Sequence, residues 1–348
     1  GYLPTVWSPL MQFSQVCIEG LGYVVPTTEI TTSSIEQGLT HLYRRMGIRP
    51  GWLEMVTGIR ARRFWPSGVR PSQVAFQAAE KALADSGVDR SSVQVLVSTS
   101  VSKDYLEPSV AALVHGSLGL PSNCLNFDVG NACLGFLSGM VVVANLIELG
   151  QIDCGMVVAG ESSREPTEST INILSRPGAN MKSFRDNLAT LTLGSAGVAM
   201  VLTSKKRSRT GHRFLGGKAL AATEFNHLCI GTSTKMTTDP ARLLAEGVKL
   251  ARRTWASVHA DVDLRPSVVR EYALHQVGKA NHQAVLKALD VPSDRALVVF
   301  DDHGNVGACG VPLTLAISRE RKRFGSGDRV ALMGIGSGLN VSMMGIQW

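Results

Sequence analysis

Cys133 stands between Gly130-Asn131-Ala132 and Leu134-Gly135-Phe136-Leu137-Ser138-Gly139, where an extended segment gives way to an apolar helix. A thiol placed there faces unpaired amide N–H groups and the positive end of the helix dipole, which favour thiolate and lower a pKa that starts at about 8.5. Small neighbours leave room for a substrate. A nucleophilic cysteine needs groups that take its proton or hold the oxyanion it creates, and imidazole and carboxamide do both. His275 follows Tyr272-Ala273-Leu274 at a strand end, and Asn305 sits in Gly304-Asn305-Val306-Gly307 ahead of an apolar helix beginning near Pro312. Each has a plainer reading: free cysteine is a common core residue, and a single histidine at a strand end is more often a hydrogen-bonded structural residue. Three such residues at equivalent strand ends, which converge on one edge of a twisted α/β sheet, favour covalent catalysis.

The elements that must position them follow an α/β pattern. Val93 to Ser98 reads as a strand, Ser109 to Leu118 as a helix and Cys154 to Ala159 as a strand. Val74, Ala75, Ala78, Ala79, Ala82 and Leu83 make a helical stripe that Gly87 ends. The second half repeats this syntax, with a helix over Ala280 to Leu289 and a strand over Ala296 to Phe300. Phe127-Asp128-Val129-Gly130-Asn131-Ala132-Cys133 parallels Phe300-Asp301-Asp302-His303-Gly304-Asn305, and Asp153 to Gly160 parallels Asp328 to Gly334. The expectation is a duplicated βα unit, residues 1–205 carrying the cysteine and residues 206–348 the histidine and asparagine, joined by the basic connector Lys205 to Gly211. Ser162 to Asn187, rich in Ser, Thr, Pro and Asn, reads as a long loop excursion of the kind that covers a site.

With 348 residues, 44% hydrophobic and 18% charged, the chain can bury a large core in roughly two domains. No stretch reaches the roughly 20 apolar residues of a membrane helix. The start at Gly1 shows no secretory signal, so a cytoplasmic enzyme is expected. The cysteines at 17, 124, 133, 154, 229 and 309 form no CxxC and no dense cluster, against both a disulfide scaffold and a zinc site. A net charge of +7 is scattered, apart from Arg60 to Arg63 and Lys205 to Arg209, and lacks aromatic interleaving, so an anionic small molecule or acidic carrier fits it better than nucleic acid. No metal is expected, because neither His282 nor His303 has ligand spacing to a cysteine or carboxylate.

Asn131 to Phe136, Leu274-His275-Gln276, His303-Gly304-Asn305 and Gly334-Ile335-Gly336-Ser337-Gly338 together resemble the β-ketoacyl-acyl carrier protein synthase III branch of the thiolase superfamily, in order and spacing along nearly the whole chain. Thr57-Gly58-Ile59-Arg60 and Gly20 to Pro26 fit the same branch. The resemblance implies a five-layered αβαβα thiolase fold, a homodimer and an acyl-cysteine at Cys133. It makes His275 and Asn305 the catalytic partners, and the backbone amides of Cys133 and Ser337 the oxyanion hole. It also implies coenzyme A thioesters as substrates, with no separate cofactor, near Trp52 and Arg60.

The chain departs from the synthase III pattern in four places. Gln276-Val277-Gly278 replaces Gln-Ala-Asn, Val56 stands where an arginine is expected after Trp52, the 162–187 excursion is long, and Tyr105-Leu106-Glu107-Pro108-Ser109 is distinctive. These features resemble the OleA group, the head-to-head acyl-CoA condensing enzymes of long-chain olefin biosynthesis. That resemblance implies long-chain acyl-CoA substrates and downstream olefin-pathway enzymes as partners. It also implies Glu107, entering from the other subunit, as the base that removes an α-proton; by position alone Glu107 reads as an acid at a helix start. The alternative reaction is decarboxylating condensation of acyl-CoA with a malonyl carrier thioester. A papain-like hydrolase lacks its local cysteine signature here, and an acyl-binding scaffold would leave Cys133 unmodified. Cys309, before Gly310, reads as a packing residue.

Overall fold

The structure is a computed structural model that describes residues 11–348. The chain start, on which the expectation of no secretory signal rests, lies outside the described residues. The principal strands are β1 (Val16–Val24), β2 (Val95–Ser98), β3 (Leu125–Asp128), β4 (Cys154–Glu161), β5 (Ala196–Ser204), β6 (Arg213–Ala221), β7 (Val269–Leu274), β8 (Arg329–Gly336) and β9 (Asn340–Gln347). They run side by side in the order β7-β8-β9-β6-β1-β5-β4-β2-β3, with Met11–Gln12 added against β6.

The order itself shows a duplication. From the centre outward, one half reads β1-β5-β4-β2-β3 and the other β6-β9-β8-β7, each beginning with antiparallel pairs and ending with parallel ones. The halves meet where Cys17 pairs with Arg213.

Helices α1 (Pro71–Ser86), α2 (Val110–Leu118), α3 (Gly135–Glu148), α4 (Arg164–Leu174), α5 (Met181–Asn187), α6 (Pro240–Val258), α7 (Lys279–Leu289) and α8 (Gly310–Glu320) complete the layers. Helix α1 starts on Pro71, whose missing N–H costs nothing in a first turn, and ends at Gly87 in the left-handed conformation. Its alanine stripe lets it press onto β1, where a Cβ on Gly20 would lie 2.5 Å from the Ala82 carbonyl oxygen. Helices α1 and α2 cover the outer face of the first half-sheet, through Ala75, Ala79, Val114 and Leu118. Helices α6 and α7 cover that of the second, through Leu250, Val258 and Leu286. Between the half-sheets lie α3 and α8, whose Phe136, Met140, Val311 and Leu315 share one core with strands of both halves. Strands buried on both faces are apolar throughout, as in Val95-Leu96-Val97.

Two expectations need correction. Ala296 to Phe300 is not a strand: Gln276 Oε1 accepts from the amides of Val299 and Phe300, Gln276 Nε2 donates to the Leu297 carbonyl and Glu271 accepts from the Leu297 amide. Side chains thus take the backbone groups that a ladder would have paired. Ser162 to Asn187 is no loop, since it forms α4 and α5. Thr167, Thr170 and Leu174 bury one face of α4, and Asn180 with Ser183 builds a capping box at the start of α5. The two helices pack Leu174 and Phe184 on Ile35, Leu42, Tyr43 and Leu53 to make a separate helical cap.

Candidate active site

Cys133 occupies a 3-10 turn, Ala132–Leu134, that runs directly into α3. Ala132 holds φ at 46°, a left-handed conformation that a residue with a Cβ adopts at a cost and that functional turns retain. The second half repeats this turn at Gly307–Cys309 before α8, where Gly307 holds φ at 58°. Cys133 and Ala308 are therefore counterparts, and only one central helix begins with a nucleophile.

The turn is pinned from two sides. Asn131 Nδ2 donates to Ser138 Oγ at 2.9 Å, and Asn340 Nδ2 donates to Asn131 Oδ1 at 3.3 Å. Asn340 begins β9, so this bond ties the cysteine turn to the β8–β9 turn carrying Ser337. Gly334 and Gly336 of β8 lie under Leu134, close enough that a Cβ on Gly334 would be 2.7 Å from Leu134 Cδ2 and 3.0 Å from His275 Cβ. His275, just past the end of β7, is thereby brought to the cysteine turn. Its amide donates to the Met333 carbonyl at 2.9 Å. On its other side, a Cβ on Gly310 would lie 2.7 Å from His275 Nδ1.

Asn305 bridges to Leu193, its amide donating to the Thr192 carbonyl at 2.8 Å and its carbonyl accepting from the Gly194 amide at 2.8 Å. Its Oδ1 accepts from the Gly307 amide at 3.0 Å, so the end free to donate is Nδ2. The three residues singled out from their types and strand-end positions therefore converge at the starts of the two central helices.

Their protonation differs from the expectation. Burial pushes the Cys133 thiol up to about 12, with Cys229 and Glu161 nearby adding to the rise. The helix-start contribution is outweighed by this desolvation of a partly buried residue, which favours a neutral thiol over a thiolate. Burial also lowers His275 to about 4, and its Nδ1 has no hydrogen-bond partner. A neutral imidazole within reach of a neutral thiol could accept its proton as the sulfur attacks.

Two neighbours went unnoticed in the sequence. Cys229 is raised by burial, with the Ser337 side chain close enough to oppose the rise; in sequence it was one cysteine among six. Glu161 is buried at the end of β4, with Oε1 accepting from the Val101 amide at 2.6 Å and Oε2 from the Ser102 amide at 3.0 Å and hydroxyl at 2.8 Å. Burial raises it to about 7 against those donors and the Ala308 amide. A charged residue closing the apolar run of β4 was the available signal. Cys309 behaves as a packing residue: it is fully buried, and its thiol lies 3.4 Å from the Ala196 carbonyl oxygen.

Residues 61–211 match the family described as Thiolase, N-terminal domain, and residues 260–348 the C-terminal domain of 3-oxoacyl-[acyl-carrier-protein] synthase III. The chain is 39% identical over 338 residues to the acyl-CoA:acyl-CoA alkyltransferase of Xanthomonas campestris pv. campestris, covering 97% of this chain and 100% of that protein. It is 38% identical over 351 residues to the enzyme of the same description from Shewanella oneidensis, with coverage of 97% and 100%. The chain belongs to the acyl-CoA:acyl-CoA alkyltransferase (OleA) family.

The OleA family accounts for the five layers as a thiolase fold: the crystal structure of Xanthomonas campestris OleA with lauric acid and lauroyl-CoA superposes with a TM-score of 0.94 at 39% identity, over 97% of this chain and 100% of that one. That OleA has also been solved with substitutions at a glutamate, a cysteine and a histidine, which keep the chain order and separations of Glu107, Cys133 and His275 here.

Other expected site residues lie elsewhere in this OleA-family chain. Glu107 is exposed on the loop between β2 and α2 and is not gathered with Cys133. Val101, Tyr105 and Leu106 on the same loop, and Leu125 and Phe127 of edge strand β3, are exposed apolar side chains. Trp52 packs its ring 5.6 Å from that of Phe184 in the cap. Arg60 is ion-paired with Glu29 at 3.1 Å and with Asp302, so a phosphate there would compete with two carboxylates. Among the described residues no cluster suited to a metal occurs and no helix is long and apolar enough to cross a membrane.

Proposed function

We propose that this OleA-family protein joins two long-chain fatty acyl-CoA molecules by Claisen condensation without decarboxylation, on a site shared between the subunits of a cytoplasmic homodimer. In the first step the Cys133 sulfur attacks one acyl-CoA while His275 takes the thiol proton. The oxyanion is held by the backbone amides of Cys133 and Ser337, each donor contributing about 3 to 4 kcal/mol to lowering the barrier. The bond to coenzyme A sulfur breaks, the proton passes to the departing thiolate, and the acyl group stays on Cys133.

The second acyl-CoA has no carboxylate to lose, so an α-proton must be removed. Glu107 of the partner chain takes it, with His275 and Asn305 Nδ2 donating to the thioester oxygen that becomes enolate. The carbanion attacks the acyl carbon, the bond to Cys133 breaks, and a 2-alkyl-3-ketoacyl thioester forms. Water then releases coenzyme A and a β-keto acid, the substrate class that olefin-pathway partners would consume. Trp52 and Arg60 are the residues of this chain proposed to meet coenzyme A.

The observation that carries the reading is the convergence of Cys133, His275 and Asn305 while Glu107 stays outside on an exposed loop. A neutral imidazole can serve the thiol, and the base for the α-proton is available from a facing copy. A decarboxylating synthase would need no such base. Supplying one acyl-CoA, without any malonyl thioester, tests this directly: two free coenzyme A are expected per β-keto product, and none from Cys133→Ala. Turnover that requires a malonyl thioester would overturn the proposal.

A further inference from the structure

Among the described residues, Glu161 is a buried carboxylate that touches both the turn beside Asn305 and the loop bearing Glu107. On the first side it lies against the turn that orients Asn305, with Gly307 so close that an added Cβ would sit 3.4 Å from Glu161 Cδ. On the second it holds Val101 and Ser102 by two amides and one hydroxyl, and Ser102 Oγ in turn reaches the Ser162 carbonyl at 3.3 Å. These are the first residues of the exposed segment that runs to Glu107. The rest of that segment is fastened by other acids: Asp104 accepts from Ser72, and Asp128 accepts from Lys103 and from the amides of Val110 and Ala111. Of these anchors Glu161 is the one that also meets the Gly307–Ala308 turn beside Asn305.

The geometry points to Glu161 as a positioning residue that fixes the loop presenting Glu107 to the partner's acyl-cysteine, acting in trans across the dimer rather than on its own Cys133. The inference rests on the reading that Glu107 serves the other subunit. A carboxylate suits the task because its two oxygens accept all three loop donors, whereas an amide must turn one donor end toward them.

Two mixed dimers, isolated through a different tag on each chain, test it. The control pairs Cys133→Ala with Glu107→Gln, and the test pairs Cys133→Ala with Glu161→Gln. The Glu161→Gln homodimer should lose at least tenfold in condensation while intact-mass measurement still finds acyl groups on Cys133. Both mixed dimers should return to about half of native condensation, one of their two sites being complete, because the intact Cys133 then receives a Glu107 held by a native Glu161. Recovery in the control alone, loss of acylation in Glu161→Gln, or native condensation by that homodimer would overturn the role of Glu161 and leave that of Glu107 standing. Failure of the control would remove both. If Glu161→Gln yields no soluble dimer, Ser102→Ala, which deletes the loop hydroxyl, takes its place in the same pairing, and the same outcomes support or overturn the role of Glu161.

Discussion

Asn340 donates to Asn131 at 3.3 Å, and this one bond joins the turn that carries Cys133 to the turn that carries Ser337. The two backbone amides proposed to hold the oxyanion come from opposite halves of the chain, so their spacing depends on a contact between halves. Asn340→Ala removes it at an expected cost of about 1 kcal/mol in stability. Acylation should slow tenfold to a hundredfold, because a displaced donor forfeits much of the stabilisation of the developing charge. Single-turnover release of coenzyme A, measured beside thermal unfolding, checks this. A rate within twofold of native would show that the turns keep their places without the pair.

Gly310→Ala tests the packing of the imidazole. The backbone at Gly310 is ordinary right-handed helix, so alanine is compatible with the fold and favours the helix by about 0.5 to 1 kcal/mol. Its Cβ would nevertheless stand 2.7 Å from His275 Nδ1, and the ring must shift. Overpacking a buried site costs about 1 to 3 kcal/mol, so the expected result is a modestly lowered unfolding temperature of a still folded protein, with acylation reduced at least tenfold. Unchanged acylation would mean that the ring position tolerates displacement.

The protonation states give a pH signature. With its pKa raised to about 12 by burial, the Cys133 thiolate fraction grows about tenfold per pH unit from 6 to 9. Alkylation of Cys133 by iodoacetamide, followed by peptide mass spectrometry, should rise with that slope. Enzymatic acylation should instead stay nearly flat over the same range, since His275, lowered to about 4, remains a neutral acceptor until the solution becomes strongly acidic. An alkylation plateau below pH 7 would restore the thiolate.

Leu106→Asp addresses the shared site. Leu106 is fully exposed in the single chain, as are, in part, its neighbour Tyr105 and Leu125 and Phe127 of β3. A charge at this apolar position should shift the protein toward monomer in light scattering and lower condensation a hundredfold or more, because Glu107 would no longer reach a partner. A fully active dimer would place the interface elsewhere.

Much of this arrangement was legible in residue order. The alanine stripe before Gly87, the apolar run Val95-Leu96-Val97 and the small-residue turn at Cys133 each follow from local rules of period, capping and backbone freedom. The Ala296–Phe300 segment and the α4–α5 helices were misread for the converse reason. Gln276 and Glu271 reach across space to replace a ladder, and the buried face of α4 uses threonines that carry little hydrophobic signal.

The amino-acid order alone determined which groups could react and that two similar halves would each send a strand end and a helix start to a common edge, since these depend on neighbours a few residues apart. It could not determine the charge on Cys133, because desolvation of the sulfur near Cys229 and Glu161 involves residues far along the chain. Nor could it reveal that Glu161 reaches from the Asn305 turn to the loop of Glu107. Solvation and through-space contact exist only once the layers have closed, and they fix the protonation and placement on which the chemistry depends.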